Sequence, residues 1–337
     1  MKIDILTVNG SPMGVTEMAI YGDGVQLGVG GAELALLTMC RAWTEYGHEV
    51  TLYNNPRGFE RSGFAQANQV DFQEAADRDI LILFRGPNDY ATRAKGKKIW
   101  WSCDQQTHGD YRKLASEVDE IVTISPFHAN YFEKRYGISN TNIIDIPVRE
   151  WDYMGVEVEK NPKQVLFCSV PDRGLEQLAP IWARITARVP DAVLHITSDW
   201  RLWDAHIPVN TVAKYRLQFA GFNNVRYHSL VTRSDLVKLQ LESSIHLYPC
   251  VYEELFCISS AETQYAGCYP ITSNVGALAT TNMGTHCDTQ DEFVEETIKY
   301  LLDPDSFNGH REEVLKKAKD RFSIERAIKK WQSVLSL

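Results

Sequence analysis

The sequence predicts an α/β chain made of two doubly wound parallel-sheet domains. Three observations carry this. The length, 337 residues, is that of two domains at ~150 residues each. Short β-rich apolar runs alternate with longer helical runs from end to end, the order that parallel sheets covered by helices require. The alternation also runs twice, on either side of a polar and aromatic stretch at residues 149–162.

In the first half, strands are expected at residues 3–8, 49–53, 79–84, 98–102 and 120–124. Each is a near-continuous apolar run, as in strands buried on both faces. Helices are expected at 32–46 and 127–136, and Gly47 supplies a stop for the first. The pattern resets at residues 144–147, and 149–162 reads as an interdomain linker. In the second half, strands are expected at 165–168, 192–197, 225–229, 245–249 and 269–272, with helices at 175–189, 234–243, 257–266 and 292–302. Ser323 can cap a last helix in which Ile324, Ala327, Ile328, Trp331, Val334 and Leu335 share one face. That stripe has to be buried, and the first domain is the expected surface. The expected boundaries are therefore 1–148, 149–322, and 323–337 for a helix that crosses back.

Hydrophobic residues at 44% and charged residues at 23% exclude a disordered, collagen-like or disulfide-scaffold chain. No apolar run approaches the ~18 residues needed to span a bilayer, and the N-terminus does not read as a signal peptide. Seven cysteines, an odd number without a C-x-x-C pair, read as buried free thiols of a cytoplasmic protein. A net charge of -9 weighs against sequence-independent binding to nucleic acid, unless a local basic groove overrides it. Arg93, Lys95, Lys97 and Lys98 form a small basic run that reads as a solvated turn.

Two α/β units suggest nucleotide chemistry. The dinucleotide fingerprint G-x-G-x-x-G fails: its nearest match, Gly28-Val-Gly30-Gly31-Ala32-Glu33, has Glu in the place of the third Gly and lies about 20 residues past the first strand. No G-x-x-x-x-G-K-[ST] occurs. Glycines at a helix start can still present free N–H groups to a phosphate. The densest constellation runs from Pro249 to Glu262, past an expected strand and into an expected helix. Ligands of open α/β sheets bind beyond the carboxyl ends of strands. Glu254 and Glu262, eight residues apart, could grip hydroxyls at two ends of one ligand, with phosphate at the helix start near Cys257–Ser259. A solvated acid plus a helix-face acid is the competing reading.

Glu254-x7-Glu262 resembles the E-x7-E motif of retaining family 4 glycosyltransferases (glycosyl transferases group 1) of the GT-B fold. Gly267, the strand 269–272 and Ser273-Asn-Val-Gly276-Ala-Leu278 continue the likeness. Gly30-Gly31-Ala32-Glu33, with its helix ending Tyr46-Gly47-His48, is similar to the family's first β–loop–α unit. Ile124-Ser-Pro-Phe-His128 is similar to the end of its fifth strand, and Val170-Pro-Asp-Arg173-Gly174-Leu175 to its phosphate-gripping segment. Four loose motifs in the family's order span nearly the whole chain.

The resemblance implies two Rossmann-like domains facing a central cleft, with the acceptor on the N-terminal side and a nucleotide-sugar on the C-terminal side. It implies that Glu262 binds ribose hydroxyls, that Glu254 sits beside the transferred sugar and that Arg173 neutralises the diphosphate. Gly30, Gly31, Cys257, Ile258, Ser259, Ala277 and Leu278 would line the donor site. No metal or other cofactor is implied. Two departures stand out: Arg173 is the single cation where the family has an Arg and a Lys, and the family's His after the fourth strand is replaced by Asp104, with His108 four residues on. Either Asp104 or His108 could face the sugar, and either could be an ordinary loop residue. Trp100, Trp101, Trp151 and Tyr153 could stack on sugars, although a strand Trp is more often core.

The implied function is transfer of a sugar, with retention of configuration, to a hydroxyl of a glycan, lipid-linked or small-molecule acceptor. The alternatives are a DNA-base glycosyltransferase of phage type, which the net charge disfavours, a nucleotide-sugar epimerase, and a non-catalytic nucleotide-sugar binder.

Overall fold

A computed structural model describes residues 1–7, 14–22, 28–57, 63–88, 93–106, 109–203 and 207–336. The chain divides into two compact units, Met1–Pro147 with Ile324–Leu337, and Val148–Ser323.

The first unit runs β1 (Lys2–Thr7), α1 (Glu17–Tyr21), α2 (Gly31–Glu45), β2 (Glu49–Tyr53), β3 (Ala65–Ala67), β4 (Ile80–Phe84), β5 (Lys97–Trp101), α3 (Tyr111–Glu117), β6 (Glu120–Thr123), α4 (Pro126–Tyr136) and β7 (Asn142–Ile143). Its strands form one parallel sheet in the order β3-β2-β1-β4-β5-β6-β7. The centre is apolar on both faces, and every residue of β4 is buried. Ser125 caps α4 through its hydroxyl, which accepts from the His128 N–H at 3.0 Å.

The second unit runs β8 (Asn161–Cys168), α5 (Leu175–Arg188), β9 (Val193–Thr197), α6 (Val209–Leu217), β10 (Val225–Ser229), α7 (Arg233–Glu242), β11 (Ser243–Tyr248), α8 (Ile258–Tyr265), β12 (Tyr269–Ser273), α9 (Leu278–Thr281), β13 (Thr285–Cys287), α10 (Gln290–Leu302) and α11 (Pro304–Arg321). Its parallel sheet has the order β10-β9-β8-β11-β12-β13. The last helix, α12 (Ile324–Leu335), belongs to the first unit, and its apolar stripe is buried. Trp331 meets Trp43 of α2 and Trp101 of β5 edge-on, with ring centroids 5.1 and 5.3 Å away.

Both sheets change winding direction beside their first strand. In the first unit the chain steps outward from β1 to β2 and returns to β4 on the other side. In the second it steps from β8 to β9 and returns to β11. Each reversal leaves a crevice at the carboxyl ends of the strands, between β1 and β4 and between β8 and β11, which is where open α/β sheets take ligands.

Several elements differ from expectation. The strands β3, β7 and β13, of three, two and three residues, have no apolar run to reveal them. α11 was hidden by its polarity, with only Phe307, Val314 and Ala318 buried. Residues 149–162, expected as an interdomain linker, fall within the second unit: Arg149 is buried, Asp152 pairs with Arg233 at 2.7 Å, and β8 already begins at Asn161. Trp100 and Trp101 are core residues. In the basic run, Arg93 pairs with Glu74, and Lys97 with Glu120 and the Ser336 carbonyl. All seven cysteines are free, and all but Cys103 are buried. Among the described residues no helix is long and apolar enough to cross a membrane.

Candidate active site

The crevice of the second sheet gathers the strongest sequence candidates. Past β8 the chain makes a short turn, Pro171–Arg173, and enters α5 at Gly174. Gly174 has φ +115°, and a Cβ there would strike the Pro249 carbonyl, so only glycine lets the β8 and β11 loops approach this closely. Arg173 is thereby set beside the segment that follows β11.

Its guanidinium is held on three sides. Nε lies 3.5 Å from Glu254 Oε1, Nη1 donates to Asp172 Oδ2 at 3.1 Å, and Cζ stands 3.4 Å from the centroid of the Tyr252 ring. Asp172 is steadied in turn by the Trp200 indole, whose N–H donates to Oδ1 at 3.2 Å. Glu254 Oε1 also accepts from the Tyr248 hydroxyl at 2.9 Å, and that hydroxyl lies 3.2 Å from Ser169 Oγ. Burial pushes the Glu254 carboxyl above its ordinary range, against the pull of Arg173 and Tyr248. The same burial pushes the Tyr248 phenol up, and neighbouring Glu254 adds to it.

The loop after β12 closes on the Glu254 backbone. Gly276 has φ +56°, with the site of a Cβ 2.6 Å from the Glu254 carbonyl oxygen, and the Ala277 N–H donates to that oxygen at 2.7 Å. Ala277 and Leu278, at the start of α9, are buried and packed by this contact. On the far side of Glu254 the chain enters α8 through Cys257, whose φ is +70°. A left-handed conformation in a non-glycine residue is strained. The N–H groups of Ile258 and Ser259 open the helix ahead of its first internal bond, which leaves donors for an anion four and five residues past Glu254, while the Ser260 N–H meets the Cys257 thiol.

Glu262 lies elsewhere in the chemistry. It is 3% exposed; Oε1 accepts from Arg233 Nη2 at 2.7 Å and Oε2 from Gln240 Nε2 at 3.3 Å. Arg233 also donates to Asp152, and Gln240 accepts from the Tyr153 hydroxyl at 2.6 Å. Burial works against the Arg233 charge, but Glu262, Tyr153 and Asp152 outweigh it and hold Arg233 protonated. The second acid of the motif thus anchors the start of α7, and a ribose hydroxyl would meet only its remaining lone pairs.

In the first unit, Gly30 is the N-cap of α2 and Gly31 its first residue. Asp104, just past β5, is clasped by a residue that sequence reasoning missed. Arg85 Nε and Nη2 donate to its two oxygens at 2.5 and 2.7 Å. His108 lies outside the described residues. Arg85, Tyr252, Trp200 and Arg233 carry no spacing signal, because each acts through a partner distant in sequence; Tyr248, six residues before Glu254, belongs to no motif.

No family model and no curated protein matches the sequence. Solved structures do match in three dimensions. AviGT4, a glycosyltransferase involved in avilamycin A biosynthesis, is 14% identical, with 99% of this chain and 98% of that one covered at a TM-score of 0.67. Sucrose-phosphate synthase from Thermosynechococcus elongatus is 13% identical, with 99% and 98% covered at 0.72. Anabaena HepE in complex with UDP-glucose is 12% identical, with both chains fully covered at 0.70. The fold is GT-B. At these identities the likeness extends to the fold alone. Within GT-B, this chain's own features are an arginine seated on a tyrosine ring where the resemblance leads one to expect lysine, and a strained cysteine at the start of α8.

Proposed function

We propose that this chain is a metal-independent glycosyltransferase. It takes a sugar from a nucleoside-diphosphate donor and passes it to a hydroxyl, with retention of configuration. The observation that carries the reading is the contact of Arg173 with Glu254 past β8 and β11, with the open N–H groups that start α8 following Glu254 within five residues of chain. Arg173 and these N–H groups are the pairing a diphosphate needs, since its charge grows as the sugar bond breaks. Glu254, part-buried and tied to Tyr248, faces the positive charge that develops on the transferred sugar. The leaving phosphate takes the acceptor proton, so no enzymic nucleophile is required. HepE was solved with UDP-glucose, and this makes uridine the first base to try.

The test is direct. UDP-, ADP- and GDP-glucose are incubated with the protein and a mixed set of hydroxyl acceptors, nucleoside diphosphate release is followed, and the anomeric proton of the product is read by NMR. The expected result is release of one nucleoside diphosphate with an α-linked product, in EDTA as in buffer. Turnover that vanishes in EDTA and returns with Mg²⁺ overturns metal independence, and an inverted product overturns retention. Binding of a nucleotide sugar without any turnover would leave a non-catalytic binder.

A further inference from the structure

The crevice of the first sheet holds a charged group in which Arg85, marked by no motif, joins two acids that the sequence singles out, Glu33 and Asp104. Arg85 follows β4 directly and has φ +77°, a conformation that L-residues avoid. Two bonds pin it there: its N–H donates to the Trp101 carbonyl at 2.8 Å, and its own carbonyl accepts from the Trp100 indole at 3.0 Å. The strained turn throws the side chain across the carboxyl edge of the sheet. It grips both oxygens of Asp104 and donates through Nη1 to Glu33 Oε1, on the first turn of α2, at 3.1 Å. Three elements that meet at the β1–β4 reversal therefore converge on one guanidinium.

The group is unbalanced in two respects. Two carboxylates face one cation, and the three side chains are only 4–20% exposed, which is a costly excess of one negative charge. A buried polar group close to it in the chain is also unmet. Ser102 Oγ, two residues before Asp104, is fully buried without a partner. His128 is fully buried as well; its Nδ1 accepts from the Ile124 N–H at 3.3 Å, so the proton sits on Nε2. The Asp104 backbone beside the ring favours its protonated form, against the effect of burial.

The chemistry of the group selects its ligand. A guanidinium has five N–H donors, and its bonds to Asp104 and Glu33 use three. One N–H on each Nη is left, next to carboxylate oxygens with spare lone pairs. Adjacent hydroxyls match this pattern, because each can donate to a carboxylate and accept from an N–H. A phosphate does not match it: its charge would meet two carboxylates and a cation already satisfied.

We propose that Glu33, Arg85 and Asp104 form a binding site for a neutral polyhydroxyl acceptor, a sugar or glycoside without phosphate. This rests on the glycosyltransferase reading and narrows its acceptor class. The test is saturation-transfer NMR on the full chain with saturating UDP, so that the second unit's crevice is filled. Methyl α-glucoside and maltose are compared with glucose 6-phosphate, on wild type, Arg85→Lys and Glu33→Gln, with thermal melting to show that each variant folds. The neutral sugars are expected to bind and the phosphorylated one not, and each variant should weaken neutral-sugar binding by about 2–10-fold while the UDP affinity holds. Tighter binding of glucose 6-phosphate than of the neutral sugars overturns the proposal. So does undiminished neutral-sugar binding in the folded variants, or its absence in a wild type that binds UDP. Failure of UDP itself to bind would count against the donor reading, while the sugar arm still decides this one.

Discussion

Each sheet carries an arginine at its reversal, and the two are held in opposite ways. Arg85 is spent: two carboxylates hold it at 2.5–3.1 Å, and the surplus charge is negative. Arg173 is held more loosely by its acids: its contact with Glu254 is long, at 3.5 Å, Asp172 is half-exposed, and the Tyr252 ring supports it from the side. One fold thus repeats the same crevice with two electrostatic characters, one suited to hydroxyls and one to an anion. The difference comes from the loops, since the sheets that carry them are alike in parallel order and apolar centre.

The largest expected effect is on stability. Arg85→Ala leaves two mostly buried carboxylates without their cation and should cost about 3–5 kcal/mol in urea unfolding. Arg173→Ala should cost about 1 kcal/mol or less, as for a loosely held pair. Equal losses would erase the contrast between the two arginines. For turnover the order reverses. With the donor that the nucleotide-sugar screen identifies, Arg173→Ala should lower kcat by about 10²–10³-fold even at saturation, and Arg173→Lys should recover part of it. Near-wild-type kcat in folded Arg173→Ala would mean that another cation carries the diphosphate.

In one respect the units should behave alike. His128 in the first and His246 in the second are both fully buried, and burial pushes each down to about 3 from 6.5. An unfolded histidine takes up its proton near pH 6.5, whereas these do so only near 3, so stability is lost as pH falls below about 6.5. At pH 5 each should cost about 2 kcal/mol. Melting curves from pH 7 to pH 5 check this, and a flat profile would contradict it. The smallest effect is expected at the platform under Arg173. Tyr252→Phe should keep UDP affinity and Tyr252→Leu should weaken it by about 2–5-fold, as a partly exposed cation–π contact implies; equal losses would give the role to the hydroxyl instead.

The fold was largely legible because its central strands are apolar throughout, as β4 shows, and because turn glycines and caps mark the helices between them. Some elements have little local signal, since β7 is two residues long and α11 buries only three side chains, whereas α3, also unexpected, carries one in its Asp110 cap. The candidate site was legible where it depends on spacing, as with Glu254 and Glu262. It was illegible where it depends on pairing across the fold. Arg233 meets Glu262 from 29 residues away and Asp152 from 81, and no pattern in the chain announces either contact. Arg85 was hidden further by its backbone, since a left-handed arginine reads like any other residue after a strand.

The central claim is that the anion belongs to the second unit's arginine, and inorganic pyrophosphate tests it without regard to the base or the sugar. Calorimetric titration of wild type, Arg173→Ala and Arg85→Lys should give binding in the first and third with similar affinity. Arg173→Ala should lose about 10-fold or more, the cost of removing a hydrogen-bonded charge. Loss in Arg85→Lys with intact binding in Arg173→Ala would place the diphosphate in the wrong unit and contradict the account.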